Sequence, residues 1–238
     1  MADLIESIVS EGEQAIDSFA QHAVRLTAIL DKQFPKVTLE TIAAEFAKTP
    51  SSPELNPKVA KLGSLVREES AVATSSLRAA EMWLRMKEPA VSDGNNFGVD
   101  VQNYVIEQIR NMRLAIGAFA DAGRDYHWGR AEGLRKLFGD EKSDSAEGVT
   151  VEQDAEKKTE KKTTSKKTLK EKSLCTADYN EYVISLDVQQ YYRSYNAIVD
   201  MRNAYLRAHQ LFSKNMKRLS DPRGEGSDGS SRNVMSMF

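Results

Sequence analysis

Three histidines and one cysteine are the side chains in this sequence best suited to metal or nucleophilic chemistry, and their spacing argues against both. A di-iron centre in a helical protein draws on inward glutamates and on Glu-x-x-His pairs. None of His22, His127 and His209 has a glutamate three residues before it. Each is therefore expected as a surface or interface residue. Cys175 has no second cysteine for an intrachain disulfide or a cluster, and it reads as a bland thiol. No phosphate-binding glycine loop, HExxH, GxSxG or CxxC occurs. The remaining chemical pattern is a stripe in which Arg193, Arg202 and Arg207 interleave with Tyr191, Tyr192, Tyr195 and Tyr205. Stacking on single-stranded nucleic acid uses such residues. At helical spacing, however, they more often pack neighbouring helices or subunit interfaces. Neither an enzyme nor a nucleic-acid binder is expected, and no cofactor or metal is expected.

The elements that carry these residues are helical. The 238 residues hold few prolines, 29% charged residues and a formal net charge of −2, which supplies no broad basic field for nucleic acid. No apolar run is long enough to cross a membrane. The acidic, amphipathic "MADLIESIVSEGE" is unlike a secretory signal, so a cytoplasmic or nuclear location is expected. The first helix carries Leu4, Ile5, Ile8, Gly12, Ile16, Phe19, Ala23, Leu26 and Leu30 on one stripe, and Pro35 interrupts it before a short piece ending near Lys48. Asn56 as N-cap and Pro57 at the first position start a second long helix, with Val59, Leu62, Val66, Ala73, Leu77, Trp83 and Leu84, stopped by Pro89. A third helix is expected from about Val99, with Val105, Ile109, Met112, Ile116 and Phe119, and a less regular far end. The fourth runs from Thr176 to Asp221–Pro222. Long helices joined by turns pack antiparallel. The fold class is all-α, a long up-down-up-down four-helix bundle forming one domain over 1–238.

That topology places the N-terminus, the second connector and the C-terminus at one end. The second connector contains "SDGNNFGVD", whose glycines and asparagines can supply backbone conformations with φ > 0 and so specify one loop shape. The tail, 223–238, joins a Gly/Ser spacer to the apolar tip Val234, Met235, Ser236, Met237, Phe238, either an accident or a docking peptide. At the other end, 139–173 is almost devoid of apolar residues and carries eight lysines between Lys157 and Lys172. A disordered charged linker is the favoured reading over a nuclear-import or acidic-partner patch, because Glu156, Glu160 and Glu171 interrupt the basic run.

"DGNNFGV" after a proline-ended helix, followed much later by "MRNAYLRAHQLFSKNMKRLSDPRG", resembles the 11S proteasome activators, also called the REG or proteasome activator 28 family. The likeness extends over all four helices and includes "FPK" near the end of the first. It implies a ring of four-helix subunits, a heptamer, which docks on the α-subunit ring of the 20S proteasome and admits peptides through a central channel. It further implies that Asp93, Gly94, Asn95, Asn96, Phe97 and Gly98 form the gate-opening loop, with Asn95 foremost. By position, Val234, Met235, Ser236, Met237 and Phe238 match the tail that binds between α-subunits. Two features depart from the family pattern. "PAVS" stands where a basic residue often precedes the loop, and the long charged insert lies in the third connector rather than the first. The expected function is ATP-independent activation of the 20S proteasome without catalysis. The competing class is a structural or scaffolding helical bundle.

Overall fold

The computed structural model describes residues 1–35, 38–48, 54–91, 96–138 and 176–224. The lysine-rich stretch 139–173, Cys175, the loop residues Asp93, Gly94 and Asn95, and the tail tip Val234 to Phe238 lie outside the described residues. The described elements are helical: α1 (Ala2–Gln33), α2 (Leu39–Ala47), α3 (Pro57–Met86), α4 (Phe97–Gly117), a 3-10 turn (Ala118–Ala120), α5 (Ala122–Phe138) and α6 (Thr176–Ser220).

Local chemistry sets most helix ends. The apolar spacing of α1 buries Gly12, Ile16, Phe19, Ala23, Leu26 and Leu30, while Leu4 and Ile5 at its start stay exposed. Phe34 closes the last turn by donating its N–H to the Leu30 carbonyl, and Pro35 has no N–H to continue the pattern. Asn56 caps α3 as expected, its Oδ1 accepting from the N–H groups of Lys58 (3.2 Å) and Val59 (3.3 Å). The third helix departs from expectation. It begins at Phe97 rather than Val99, and it breaks after Gly117, where the 3-10 turn separates it from the regular helix α5. Glycine is a weak helix former, and 3-10 turns are frequent at the ends of α-helices.

The chain divides into two compact units, 1–35, 64–120 and 195–238 in the first and 36–63 and 121–194 in the second, with α3 and α6 contributing to both. In the first unit the contacts establish an up-down-up-down four-helix bundle. Trp83 donates to Glu13 while Arg25 pairs with Glu69, so α1 and α3 run antiparallel. Gln102 reaches Lys87 while Ser70 reaches Ile116, which sets α3 against α4. Gln102 also reaches Leu219 while Phe19 meets Phe212 and Phe34 meets Tyr195, completing the alternation with α6. At its centre Phe19 lies 5.7 Å from Tyr205 and 5.9 Å from Phe212, and Trp83 meets Phe212 edge-on at 6.0 Å. Gly12 lets α1 approach α3 closely, because a Cβ there would stand 2.4 Å from that of Trp83.

In the second unit α2, the start of α3, α5 and the first part of α6 pack together. Phe46 meets Tyr191 edge-on at 6.2 Å. Lys58 donates to Glu45 and sits over both rings, 5.8 Å from Phe46 and 5.3 Å from Tyr191. Gly133 of α5 lies close against Val183 and Tyr182 of α6.

Candidate functional site

Two of the places where the described residues gather polar groups differ in kind. The first is a junction of three helix ends in the first unit. Gln102, in the second turn of α4, is wholly buried. Its Nε2 donates one hydrogen to the Lys87 carbonyl just past α3 (3.2 Å) and the other to the Leu219 carbonyl in the last turn of α6 (2.8 Å). Carbonyls at helix ends lack intrahelical donors, so one amide satisfies two of them at once. Four residues earlier, Gly98 faces the backbone of Pro222. A Cβ on Gly98 would lie 1.9 Å from the Pro222 carbonyl oxygen, 2.7 Å from its carbon and 2.8 Å from its Cα. Arg218 completes the contact, its guanidinium 4.9 Å from the centre of the Phe97 ring.

Asp221, Pro222, Arg223 and Gly224 form a turn that leads away from α6. Gly224 donates its N–H to Asp221 Oδ1 (2.9 Å) and to the Asp221 carbonyl (3.3 Å), and adopts φ +71°. Proline at the second position and glycine at the fourth suit such a turn. Of the two feet of the loop, Gly98 rests against the root of the tail and Lys87 is linked to the end of α6 through Gln102. Beyond these feet the surface is open: Val91 and Phe97 are exposed, as is Asn96.

This geometry corrects the reading of the loop glycines and asparagines at the positions described. Asn96 has φ −99° and Gly98 is helical, so neither adopts φ > 0; among the described residues Gly224 is the glycine that does. Gly98 serves close approach of two backbones instead. Asn96 stands at the N-cap position without a side-chain capping bond.

The second polar cluster, in the other unit, was invisible in sequence. Asp187 of α6 is buried and accepts three hydrogen bonds: from Tyr126 Oη (2.7 Å), Arg130 Nε (3.1 Å) and Asn56 Nδ2 (2.9 Å). Burial first, then the bond to Asp187 and its charge, push the Tyr126 phenol well above its ordinary range. An open cleft of about 450 Å³ lined by Glu45, Phe46, Asn56, Lys58, Arg130 and Asp187 lies beside it. With three hydrogen bonds on its carboxylate, Asp187 ties the start of α3, α5 and α6 together. The chemistry-capable histidines divide. His127 and His209 are exposed as expected, whereas His22 is half-buried and stacked on Tyr205 at 4.9 Å and 14°. Burial first, and then Arg25, hold its pKa below 6.5. Of the tyrosine and arginine stripe, Tyr191 and Tyr205 pack inward, Tyr195 is partly exposed with its ring against Phe34, and Tyr192 is exposed.

Comparison with known proteins fits this arrangement. The chain has the fold of an 11S activator subunit. It superimposes on the 11S subunit PA28 of the Plasmodium falciparum proteasome with a TM-score of 0.66, at 16% identity over 93% of this chain and 92% of that one. An activator chain from a proteasome–11S activator complex matches with a TM-score of 0.63, at 14% identity over 96% and 98%. The family model described as proteasome activator PA28, C-terminal, matches residues 52–158 and 141–229, and the chain belongs to that family, the 11S proteasome activators. Proteasome activator complex subunit 3 of Homo sapiens is 22% identical over 163 residues, 68% of this chain and 51% of that protein. The chain spans about half the length of the curated relatives it matches.

Proposed function

We propose that this protein is an ATP-independent, non-catalytic activator of the 20S proteasome. In this reading seven copies form a ring, dock on the α-subunit ring through Val234 to Phe238, and open the gate with the loop Asp93 to Gly98, so that peptides enter. The ring would work in the cytoplasm, the nucleus or both, with 139–173 as a flexible charged linker at the opposite end of the bundle. The observation that carries this reading is the junction at Gln102, which brings the loop's feet and the tail's root to one end of the bundle.

Each tail contributes modest affinity, and seven on one ring act at high effective concentration. Gate opening requires the loop to favour the open state of the gate over the closed one, because equal contact with both shifts nothing. The test is fluorogenic peptide hydrolysis by latent 20S proteasome with three proteins: the wild type, a chain lacking Val234 to Phe238, and Asn95→Tyr. Wild type should stimulate hydrolysis and run in native mass measurement near seven times 26.6 kDa. The truncated ring should lose co-sedimentation with the proteasome, and Asn95→Tyr should bind without stimulating. A monomer or dimer that leaves hydrolysis unchanged would overturn this reading and support the scaffolding alternative.

A further inference from the structure

We infer that Gly98 and Gln102 are positioning residues that clasp the gate loop to the root of the docking tail, so that tail engagement and loop placement form one mechanical unit. This rests on the activator reading above. A bundle end of this kind needs no such clasp to fold. The second connector could leave α3 and enter α4 with no contact to the end of α6, and the tail could hang free from Ser220.

Three observations tie them instead. The atoms nearest a Cβ at Gly98 all belong to the Pro222 backbone, at 1.9, 2.7 and 2.8 Å. A neighbouring side chain can swing aside; a backbone carbonyl moves only with its chain. Pro222 in turn sits in a turn closed twice by Gly224 onto Asp221, so it cannot shift alone. Gln102 then spends both amide hydrogens on the carbonyls of Lys87 and Leu219, while among the described residues its buried Oε1 has no partner. Its two donors make the hydrogen bonds that tie this side chain to its surroundings among the described residues. These donors hold the foot of the loop on α3 to the last turn of α6. Arg218 over the Phe97 ring adds a contact on the exposed side.

Load on the tail therefore enters through Gly224 and Pro222 and is met at Gly98, in the first turn of the helix that Asn96 precedes and Phe97 begins. Neither residue needs to touch the proteasome. Each acts by fixing where the loop stands relative to the anchored tail.

The same substitution elsewhere in α4 supplies a matched control. A Cβ at Gly117 would meet nothing within 4 Å. Gly98→Ala and Gly117→Ala each add a methyl near one end of α4 and differ in the clash with Pro222. In the full-length ring, Gly98→Ala should keep helical content, native mass and co-sedimentation with 20S proteasome, yet lower stimulation of peptide hydrolysis by about tenfold or more. Gly117→Ala should stimulate as wild type does. Gln102→Met, which keeps side-chain bulk and removes both donors, should lower stimulation in the same direction should Gly98→Ala fail to assemble. Hydrogen exchange on the free ring provides a readout that does not depend on the proteasome. Gly98→Ala and Gln102→Met should speed exchange at 96–102 and at 219–224 together, and Gly117→Ala at neither. Failure of wild type to stimulate would overturn the activator reading and leave exchange to decide the clasp. Unchanged exchange at 219–224, full stimulation by a bound Gly98→Ala ring, or equal loss of binding and stimulation would overturn the clasp itself.

Discussion

Asp187→Ala should be the most destabilising single polar substitution within the second unit. The change removes one carboxylate that accepts from Tyr126, Arg130 and Asn56 at 2.7, 3.1 and 2.9 Å. Whether that loss is large depends on whether the ion pair is solvated. Side-chain exposures of 8% for Arg130 and 7% for Asp187 place it with buried pairs, although a cleft lies alongside. Exposed pairs contribute about 0–1 kcal/mol, whereas removing one partner of a buried pair costs about 3–5 kcal/mol, because the other charge keeps its desolvation penalty. For a chain of this size 1 kcal/mol shifts Tm by about 2–4 °C, so a fall of roughly 6–20 °C is expected. Far-UV circular dichroism on heating, at one fixed protein concentration because association adds apparent stability, measures it. Combining Asp187→Leu with Arg130→Met removes both charges and should recover most of the loss. A Tm fall under about 3 °C for Asp187→Ala would refute the assignment of the pair as buried. A double variant no better than the single one would show that packing, not charge, accounts for the effect.

Gly12→Ala pits two effects against each other. Alanine favours a helix over glycine by about 1 kcal/mol, but its methyl would lie 2.4 Å from Trp83 Cβ and 2.9 Å from the Ala79 carbonyl. Overpacking costs about 1–3 kcal/mol, so urea unfolding should show net destabilisation, and a more stable variant would contradict the close approach of α1 and α3. His22 makes stability depend on pH with a definite sign. Its folded pKa lies below the ordinary 6.5, so the unfolded chain binds the proton first as pH falls. Stability is fully present above 6.5 and drops as pH descends from there through the folded pKa. His22→Gln should flatten the difference in urea midpoint between about pH 7.5 and 5.5. Glu69, whose pKa burial raises from 4.5 despite Arg25, contributes in the opposite sense, and comparison with His22→Gln cancels it because both proteins carry Glu69. An identical slope in the variant would place the dependence elsewhere.

The sequence by itself determined the helices of this protein and most of their ends, because those features are written within a few residues of where they act. Asn56 caps its own next turn, Pro35 stops its own helix, and the stripe from Gly12 to Leu30 repeats at the period of the helix it lies on. It also determined, through alternation of long helices, that the second connector and the C-terminus share an end of the bundle. The tertiary structure decided why particular polar and small residues occupy their positions. Nothing local in the sequence marks Gln102 or Asp187, yet both are buried, since their partners come from distant parts of the chain. Gly98 looked like a source of unusual backbone geometry and proved to be a point of contact with Pro222. Apolar periodicity likewise could not separate the buried Tyr205 from the exposed Tyr104 and Tyr192, because spacing records which face of a helix a residue is on and not what covers that face. Burial is a property of the neighbour as much as of the residue, and the neighbour is chosen by the fold.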